Sequence, residues 1–432
     1  MKAKSRPSQN LRLWFTPGLH VKRWLLLLFA SIVILSLGFG YVLRDVYRSD
    51  SSFPEWVQIA TLQFLPYVVR ACIFVLIGGG LLLMSAYKLG QSILGPLLLG
   101  RNNGDDRGLV EQLYRFRLLA KGPRVVALGG GTGLSALLRG LKKYTGNIVA
   151  IVTVADDGGS SGRLRDEFRV LPPGDIRQCL TALAETEPLM TQLFQHRFGG
   201  DGSLSGHSFG NLFITAMAEI TGDFEHAIRE SGRVLAVRGQ IVPSTLRDVT
   251  LCATAGAEVR VGESRVPHGD GRIDRVFLDP ADAAINPEAE SAILDAELIV
   301  CGPGSLYTSI LPNLLVDGMV EALRASPAVK VYVCNVAGQP GETLGFTVSE
   351  HLETIEAHVG GNVFDYVIVN SNVGPPLPRS AQDAGISRVS FDRDRASRKP
   401  VHYILADVVN PRVSTHHDPE KLARVIMKRI WR

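Results

Sequence analysis

The chain has 432 residues, 46% of them hydrophobic, and a formal net charge of +4 that is unevenly divided. Residues 1–124 hold 16 Lys/Arg against 6 Asp/Glu, whereas residues 125–432 hold 30 against 36, so a basic front precedes a mildly acidic body. That body argues against nucleic acid as a partner, and five scattered cysteines without a CxxC pair argue against a zinc or disulfide framework.

The hydrophobic excess lies at the front. Trp24 to Leu43 and Val68 to Tyr87 are almost wholly apolar runs of the length that crosses a bilayer, the second broken only by Arg70. A signal peptide is the competing reading of the first run, but that run is long, lacks a clear A-x-A site and is followed by another. Arg70, near the outer end of its run, is placed to snorkel to the interface beside Tyr67. The basic tail 1–23 carries six Lys/Arg and no acid, and residues 88–124 carry seven against three acids; the loop 44–63 has two against three. Positive-inside logic then predicts a two-pass protein of the cell (inner) membrane with both termini and the main body cytoplasmic. The segments are a tail (1–23), a first span (24–43), an external loop (44–67), a second span (68–87), a juxtamembrane linker (88–121) and a body (122–432). Asn102 to Gly108 is the expected flexible point of the linker, and the basic flanks suit anionic lipid headgroups.

From Arg124 the pattern alternates strand and helix, which predicts an α/β body with a Rossmann-like parallel sheet. A strand from Val125 to Leu128 meets Gly129-Gly130-Gly131-Thr132-Gly133 and passes into an amphipathic helix marked by Leu134, Leu137, Leu138 and Leu141. Gly131-x-Gly133-x-x-Ala136 fits the dinucleotide fingerprint in its Ala-ending form. Glycines permit a tight turn and close backbone approach, and the helix start attracts an anion. The next strand, Ile148 to Val154, runs into Asp156-Asp157-Gly158-Gly159-Ser160-Ser161-Gly162. In an open parallel sheet both loops face one crevice, where a carboxylate can meet ribose hydroxyls or hold a hard cation such as Mg²⁺ beside phosphate. An Asp that merely caps the following helix is the plainer reading. With no GxxxxGK[ST], a Walker-type ATPase is disfavoured.

Further along, Asp175 and Arg177 open a helix carrying Ile176, Leu180 and Leu183; an ordinary cap and surface charge are as consistent with the pattern as a sugar or phosphate contact. His207, Ser208 and Asn211 open the helix of Leu212 to Met217 and suggest a sugar or anion site, and no triad partner stands at a recognisable spacing. Short alternating segments between about 232 and 280 (Val234–Val237, Val249–Ala253, Val259–Val261, Ile273–Leu278) predict an antiparallel insertion. Strands return at Glu297 to Cys301, Val329 to Cys334 and Tyr366 to Asn370. The first of these leads into Gly302-Pro303-Gly304-Ser305, a second candidate cradle for an anion, although a turn that simply needs Gly and Pro explains it equally well. Asn335 begins a loop running to Thr343 at the end of the second. Gly374 to Pro378 marks a break, after which a strand (His402 to Val408) precedes a helix capped by Asp418 with Pro419 at its first position. His416 and His417 read as a solvated turn rather than a metal pair.

Together GGGTGLSALLRGLK, TVADDGGSSGRLR, PPGDIRQCLTALA, GHSFGNLFI, CGPGSLYTSILPNLLV and VCNVAGQPGET resemble the YvcK group of gluconeogenesis factors, within the superfamily of CofD, the 2-phospho-L-lactate transferase. The resemblance covers roughly residues 122 to 410. It implies a Rossmann-like core that binds a nucleotide sugar, UDP-N-acetylglucosamine or UDP-glucose, and a role in cell shape and wall metabolism on gluconeogenic carbon sources. In the transferase branch the position matching Asp156-Asp157 helps bind metal and substrate on the way to a deazaflavin (F420) precursor. Here small residues, GGSSGRLR, follow the Asp pair where the transferases are more aromatic, and the front hairpin is absent from shorter members. The reading is therefore a membrane-tethered UDP-sugar-binding regulator. Phosphates would lie over Gly129 to Gly133 with help from Gly302, Gly304, Ser305 and Asn335; Asp156, Asp157, Gly158, Ser160 and Ser161 would face ribose or a cation, and Asp175, Arg177, His207, Ser208 and Asn211 the sugar. The alternatives are a CofD-like transferase using Mg²⁺ on the Asp pair and, from the glycine loop alone, an NAD-dependent oxidoreductase. A homo-oligomer is compatible with all three.

Overall fold

Two long apolar helices come first, α1 (Val21–Val46) and α2 (Tyr67–Gly100). The computed structural model describes residues 21–46, 59, 62, 64–100, 118–185, 188–268, 271–374 and 376–431, divided into two compact units, Met1–Leu118 and Leu119–Arg432. Within the first unit the helices pair antiparallel: Leu35 faces Gly78, Gly38 faces Phe74, and the Tyr41 ring stacks on Phe74 at 5.9 Å. A Cβ at Gly78 would stand 2.7 Å from Leu35 Cγ, so the small residue is what lets the helices approach. The Arg70 guanidinium lies 5.1 Å over the Tyr41 ring. Among the described residues one helical stretch is long and apolar enough to cross a bilayer, Val68–Lys88 with mean hydropathy 2.2; the apolar part of α1, Leu26–Tyr41, is shorter. Helix α2 continues to Gly100, so the expected linker begins as helix. The basic tail to His20, most of the 44–67 loop and Asn102 to Gly108 lie outside the described residues.

The second unit is built on the predicted sheet. β1 (Val125–Gly129) is buried along its whole length, as a strand with parallel neighbours on both sides and helices on both faces must be. It leads into α3 (Gly131–Leu141), followed by β2 (Ile148–Val152), α4 (Gly159–Phe168), α5 (Gly174–Leu183), α6 (Phe209–Thr221) and α7 (Phe224–Val234). β3 (Gln240–Pro243), β7 (Leu298–Cys301), β8 (Val329–Val333), β9 (Tyr366–Asn370) and β10 (His402–Ala406) complete a seven-stranded sheet of order β10-β9-β8-β7-β1-β2-β3, parallel throughout. Alternate residues of β1 feed opposite cores: Val126 and Leu128 pack with Ile299 and Leu352, while Val125 and Ala127 pack with Leu137 and Leu422. Leu134, Leu137, Leu138 and Leu141 are fully buried, each contributing roughly 1.5–3 kcal/mol of burial. The last α-helix, α8 (Pro419–Val425), starts as predicted: Asp418 accepts hydrogen bonds from the N–H groups of Glu420 and Lys421.

The antiparallel addition is β4 (Thr250–Ala255), β5 (Glu258–Val261) and β6 (Arg275–Asp279), in the order β5-β4-β6. It starts later than expected. Val234 closes α7, and residues 240–243 belong to the parallel sheet, because Ile241 and Val242 pair with Ala150 and Ile151 rather than with a hairpin partner. Four cysteines are buried as expected; Cys72 is exposed. His417 is also a correction. A bridge between Val409 and His417 draws it inside, where burial holds its imidazole down at about 4.

Candidate functional site

Strand order reverses between β1 and β7: the chain runs outward through β2 and β3, then returns to the other side of β1 and runs outward again. The crevice beyond the carboxyl ends of two such strands is where open α/β sheets take ligands. The loops leaving β1 and β7 are the two glycine loops singled out in the sequence, and they touch. A Cβ at Gly133 would lie 2.2 Å from the carbonyl oxygen of Pro303. Gly131 has φ +57°, a conformation that glycine adopts freely. Gly130 has no room for a side chain, since a Cβ there would meet Asp175 Oδ2 at 2.5 Å and Thr153 Cγ2 at 2.9 Å. Buried Asn313 ties the loops together, its Nδ2 donating to Gly129 O (3.0 Å) and Ser309 O (2.7 Å).

A cavity of about 210 Å³ opens at this junction, lined by Gly131, Thr153, Asp156, Asp175, Glu263, Ser305, Thr308 and Ser309. Its walls carry carboxyl and hydroxyl groups and no lysine or arginine. Asp156 is fixed by accepting from Gly158 N at 2.9 Å; burial raises its pKa, against hydrogen bonds from Gly158 and Ser161. Asp175, in the first turn of α5, accepts from the Gly131 N–H; burial, reinforced by the Asp156 charge, pushes it up to about 7. Burial, reinforced by Asp156, Asp175, Asp157 and Glu342, pushes Glu263 up to about 8. Glu342 holds the start of the helical turn after β7, accepting from Tyr307 N (3.1 Å) and Thr308 Oγ1 (3.2 Å), and burial pushes it up to about 7. Carboxylates thus occupy amides at both helix starts, and the second loop offers the cavity mainly hydroxyls.

The two adjacent aspartates part company. Asp156 faces the cavity, whereas Asp157 Oδ1 accepts from Ser264 N at 2.8 Å and so engages the insertion. Among the described residues no three Asp, Glu, His or Cys side chains form a metal-ligating group, so the pair does not fit a self-sufficient Mg²⁺ site. Asp156 fits a cation that keeps water and takes its other ligands from a bound phosphate.

His207, Ser208, Asn211, Arg177 and Ser160 do come together, but as an internal network. Arg177 Nε donates to Asn211 Oδ1 (2.8 Å), Asn211 Nδ2 donates to Ser160 Oγ (3.1 Å), and Ser160 Oγ meets His207 Nδ1 at 3.0 Å. Ser208 caps α6 by accepting from Asn211 N. All five are buried and absent from the cavity wall, because capping and mutual hydrogen bonds absorb their polar atoms. Asn335 likewise acts behind the second loop: its Nδ2 donates to Gly304 O, and Gln339 beside it donates to Ser305 Oγ at 2.7 Å. Thr132 Oγ1 makes a long contact, 3.5 Å, with Gln178. Sequence reasoning missed Thr153, Glu263, Thr308, Ser309 and Asn313. Glu263 follows Gly262 in a short turn of the insertion, and only the fold brings that turn over the sheet.

Residues 125–409 match the family profile described as 2-phospho-L-lactate transferase CofD. The gluconeogenesis factor of Bacillus subtilis is 46% identical over 308 residues, covering 71% of this chain and 97% of its own length. The chain belongs to the CofD family, among its gluconeogenesis factors. A Nostoc sp. relative is 44% identical across 99% of this chain and 95% of its own length, so that match includes the front segment. A crystal structure of a UPF0052-family protein from Bacillus halodurans superposes with TM-score 0.68 at 45% identity, covering 71% of this chain and all of that one.

Proposed function

We propose that this gluconeogenesis factor is a membrane-tethered regulator that binds a UDP-sugar at the junction of its two glycine loops and couples its level to envelope growth and cell shape. The observation that supports it best is the contact of Gly133 with Pro303 at the strand-order reversal, with a polar cavity opening beside it. The diphosphate lies over Gly129 to Gly133, and ribose or sugar hydroxyls meet Asp156, Asp175 and the Ser305–Ser309 hydroxyls. The buried Arg177–Asn211–Ser160–His207 chain positions Ser160 and Ser161 at the start of α4. The hydrophobic length of α2, the shorter apolar stretch of α1 paired with it and the basic flanks support a two-pass hairpin with both ends cytoplasmic.

The test is a panel of UDP-sugars, GDP, GTP and NAD offered to the full-length protein in detergent, read by thermal shift. A ligand at about 100 times its Kd adds about 2.7 kcal/mol, and a UDP-sugar is expected to give that shift alone. The family profile favours a second reading, a transferase. Incubation with Mg²⁺, the deazaflavin alcohol and the guanylated phospholactate, followed by mass spectrometry, is expected to give no product. Robust product, lost in Asp156→Asn/Asp157→Asn, would replace the regulator with an enzyme.

A further inference from the structure

The three-stranded insertion reaches the cavity through one short turn, and each residue of that turn has a distinct relation to it. Ser264 N donates to Asp157 Oδ1 at 2.8 Å. Gly262, at φ +107°, passes so close that a Cβ would stand 2.2 Å from Asp157 Oδ2. Between them Glu263 enters the cavity wall beside Asp156 and Asp175. A second contact steadies the same segment, where a Cβ at Gly341 would overlap Pro267 O at 1.8 Å. The root of the insertion is held separately, by Arg165 donating to Val249 O (2.9 Å) and pairing with Asp248 (2.7 Å).

We propose that Asp157 is a positioning residue that pins the tip of the insertion over the nucleotide site, and that Glu263, placed by that latch, is the carboxyl group that opposes entry of an uncompensated anion. The proposal rests on the nucleotide-site reading and assigns the two aspartates different work: Asp156 faces the ligand, Asp157 the insertion. A carboxyl wall that includes Asp175, itself bonded to the Gly131 N–H, suits a ligand that brings hydroxyls there, or a phosphate that arrives with a divalent cation. Once these carboxyls are ionised, above about pH 8, a bare phosphate meets like charge.

The full chain in detergent tests it through two readouts: amide exchange at Ser264, and the affinity for a UDP-sugar in metal-free buffer. Asp157→Ala should speed exchange across 262–266 by about tenfold or more, because the local closing bond is lost. Asp157→Asn, which keeps an acceptor oxygen, should restore slow exchange. At pH 9, where Glu263, pushed up to about 8, is ionised, Glu263→Gln should tighten metal-free binding by roughly three- to tenfold, the effect of removing one nearby like charge, and that gain should vanish in the Asp157→Ala background. Slow exchange at Ser264 in Asp157→Ala, or a Glu263→Gln gain that persists without Asp157, would overturn the latch. A wild-type chain with the expected exchange behaviour that binds no UDP-sugar with or without Mg²⁺ would instead sink the ligand reading, and the Glu263 role with it, while leaving Asp157 as the pin of the insertion.

Discussion

Gly133 of the first glycine loop packs directly on the carbonyl of Pro303 in the second, with space for hydrogen and nothing larger. Gly133→Ala therefore forces the loops apart, since backbone rather than a pliable side chain stands in the way. Overpacking of this kind costs about 1–3 kcal/mol, so the melting temperature should fall and UDP-sugar binding weaken together. An unchanged melting temperature would mean that the loops are not held against each other.

Gly131 should behave differently. Its φ of +57° strains any other residue, but the nearest atom to a Cβ is Asp175 Oδ1 at 3.8 Å, so the fold has room. Gly131→Val should cost about 1–2 kcal/mol of backbone strain and abolish ligand binding in a folded protein, because the branched side chain occupies space that phosphate needs. Wild-type affinity would remove this loop from the site.

Asp175, Glu263 and Glu342 have folded pKa values of about 7, 8 and 7, raised chiefly by burial, against roughly 4 in an unfolded chain. The folded state therefore binds more protons between those limits. Stability from these groups is fully present below about pH 4 and is lost as pH rises through 7 to 8. Thermal melts should show a higher midpoint at pH 6 than at pH 8.5, and Glu263→Gln should flatten that slope. A slope unchanged by Glu263→Gln would remove this residue from the titrating cluster.

Asn211 is 1% exposed and serves both Arg177 and Ser160. Asn211→Ala takes the acceptor from buried Arg177 Nε and leaves Ser160 with His207 alone, which should cost about 1–3 kcal/mol in denaturant unfolding. A loss below about 0.5 kcal/mol would show that water replaces the amide.

How much of this was legible in the sequence depended on range. The Val125–Leu128 run, the glycine turn and the four leucines of α3 are contiguous, so periodicity and turn chemistry located them to within a residue. The Asp418–Pro419 helix start was equally local. Strand order was not, and that order is what turns Gly302–Ser305 from one turn among several into the neighbour of Gly129–Gly133. The Asp156–Asp157 pair looked like a single ligand set because alternation of side-chain direction is invisible in a loop. Glu263 lies more than 100 residues from Asp156 and is polar in a polar turn, so nothing local distinguished it. His207, Ser208 and Asn211 gave the opposite error: polar residues at a helix start suggested a ligand, and capping absorbed them.

The topology prediction can be checked without the site. In a Cys72→Ser chain, a single cysteine placed at Ser51 should react with an impermeant reagent in intact cells, and one at Ser8 should not. Labelling at Ser8 with protection at Ser51 would invert the arrangement.

The most direct measurement is a crystal structure of the full-length protein with a UDP-sugar. The diphosphate should lie against the backbone of Gly130 to Gly133, with ribose or sugar hydroxyls within hydrogen-bond reach of Asp156, Asp175 and Ser305 and Glu263 closing the far side. A ligand bound clear of both glycine loops, or density for none at saturating concentration, would contradict the account.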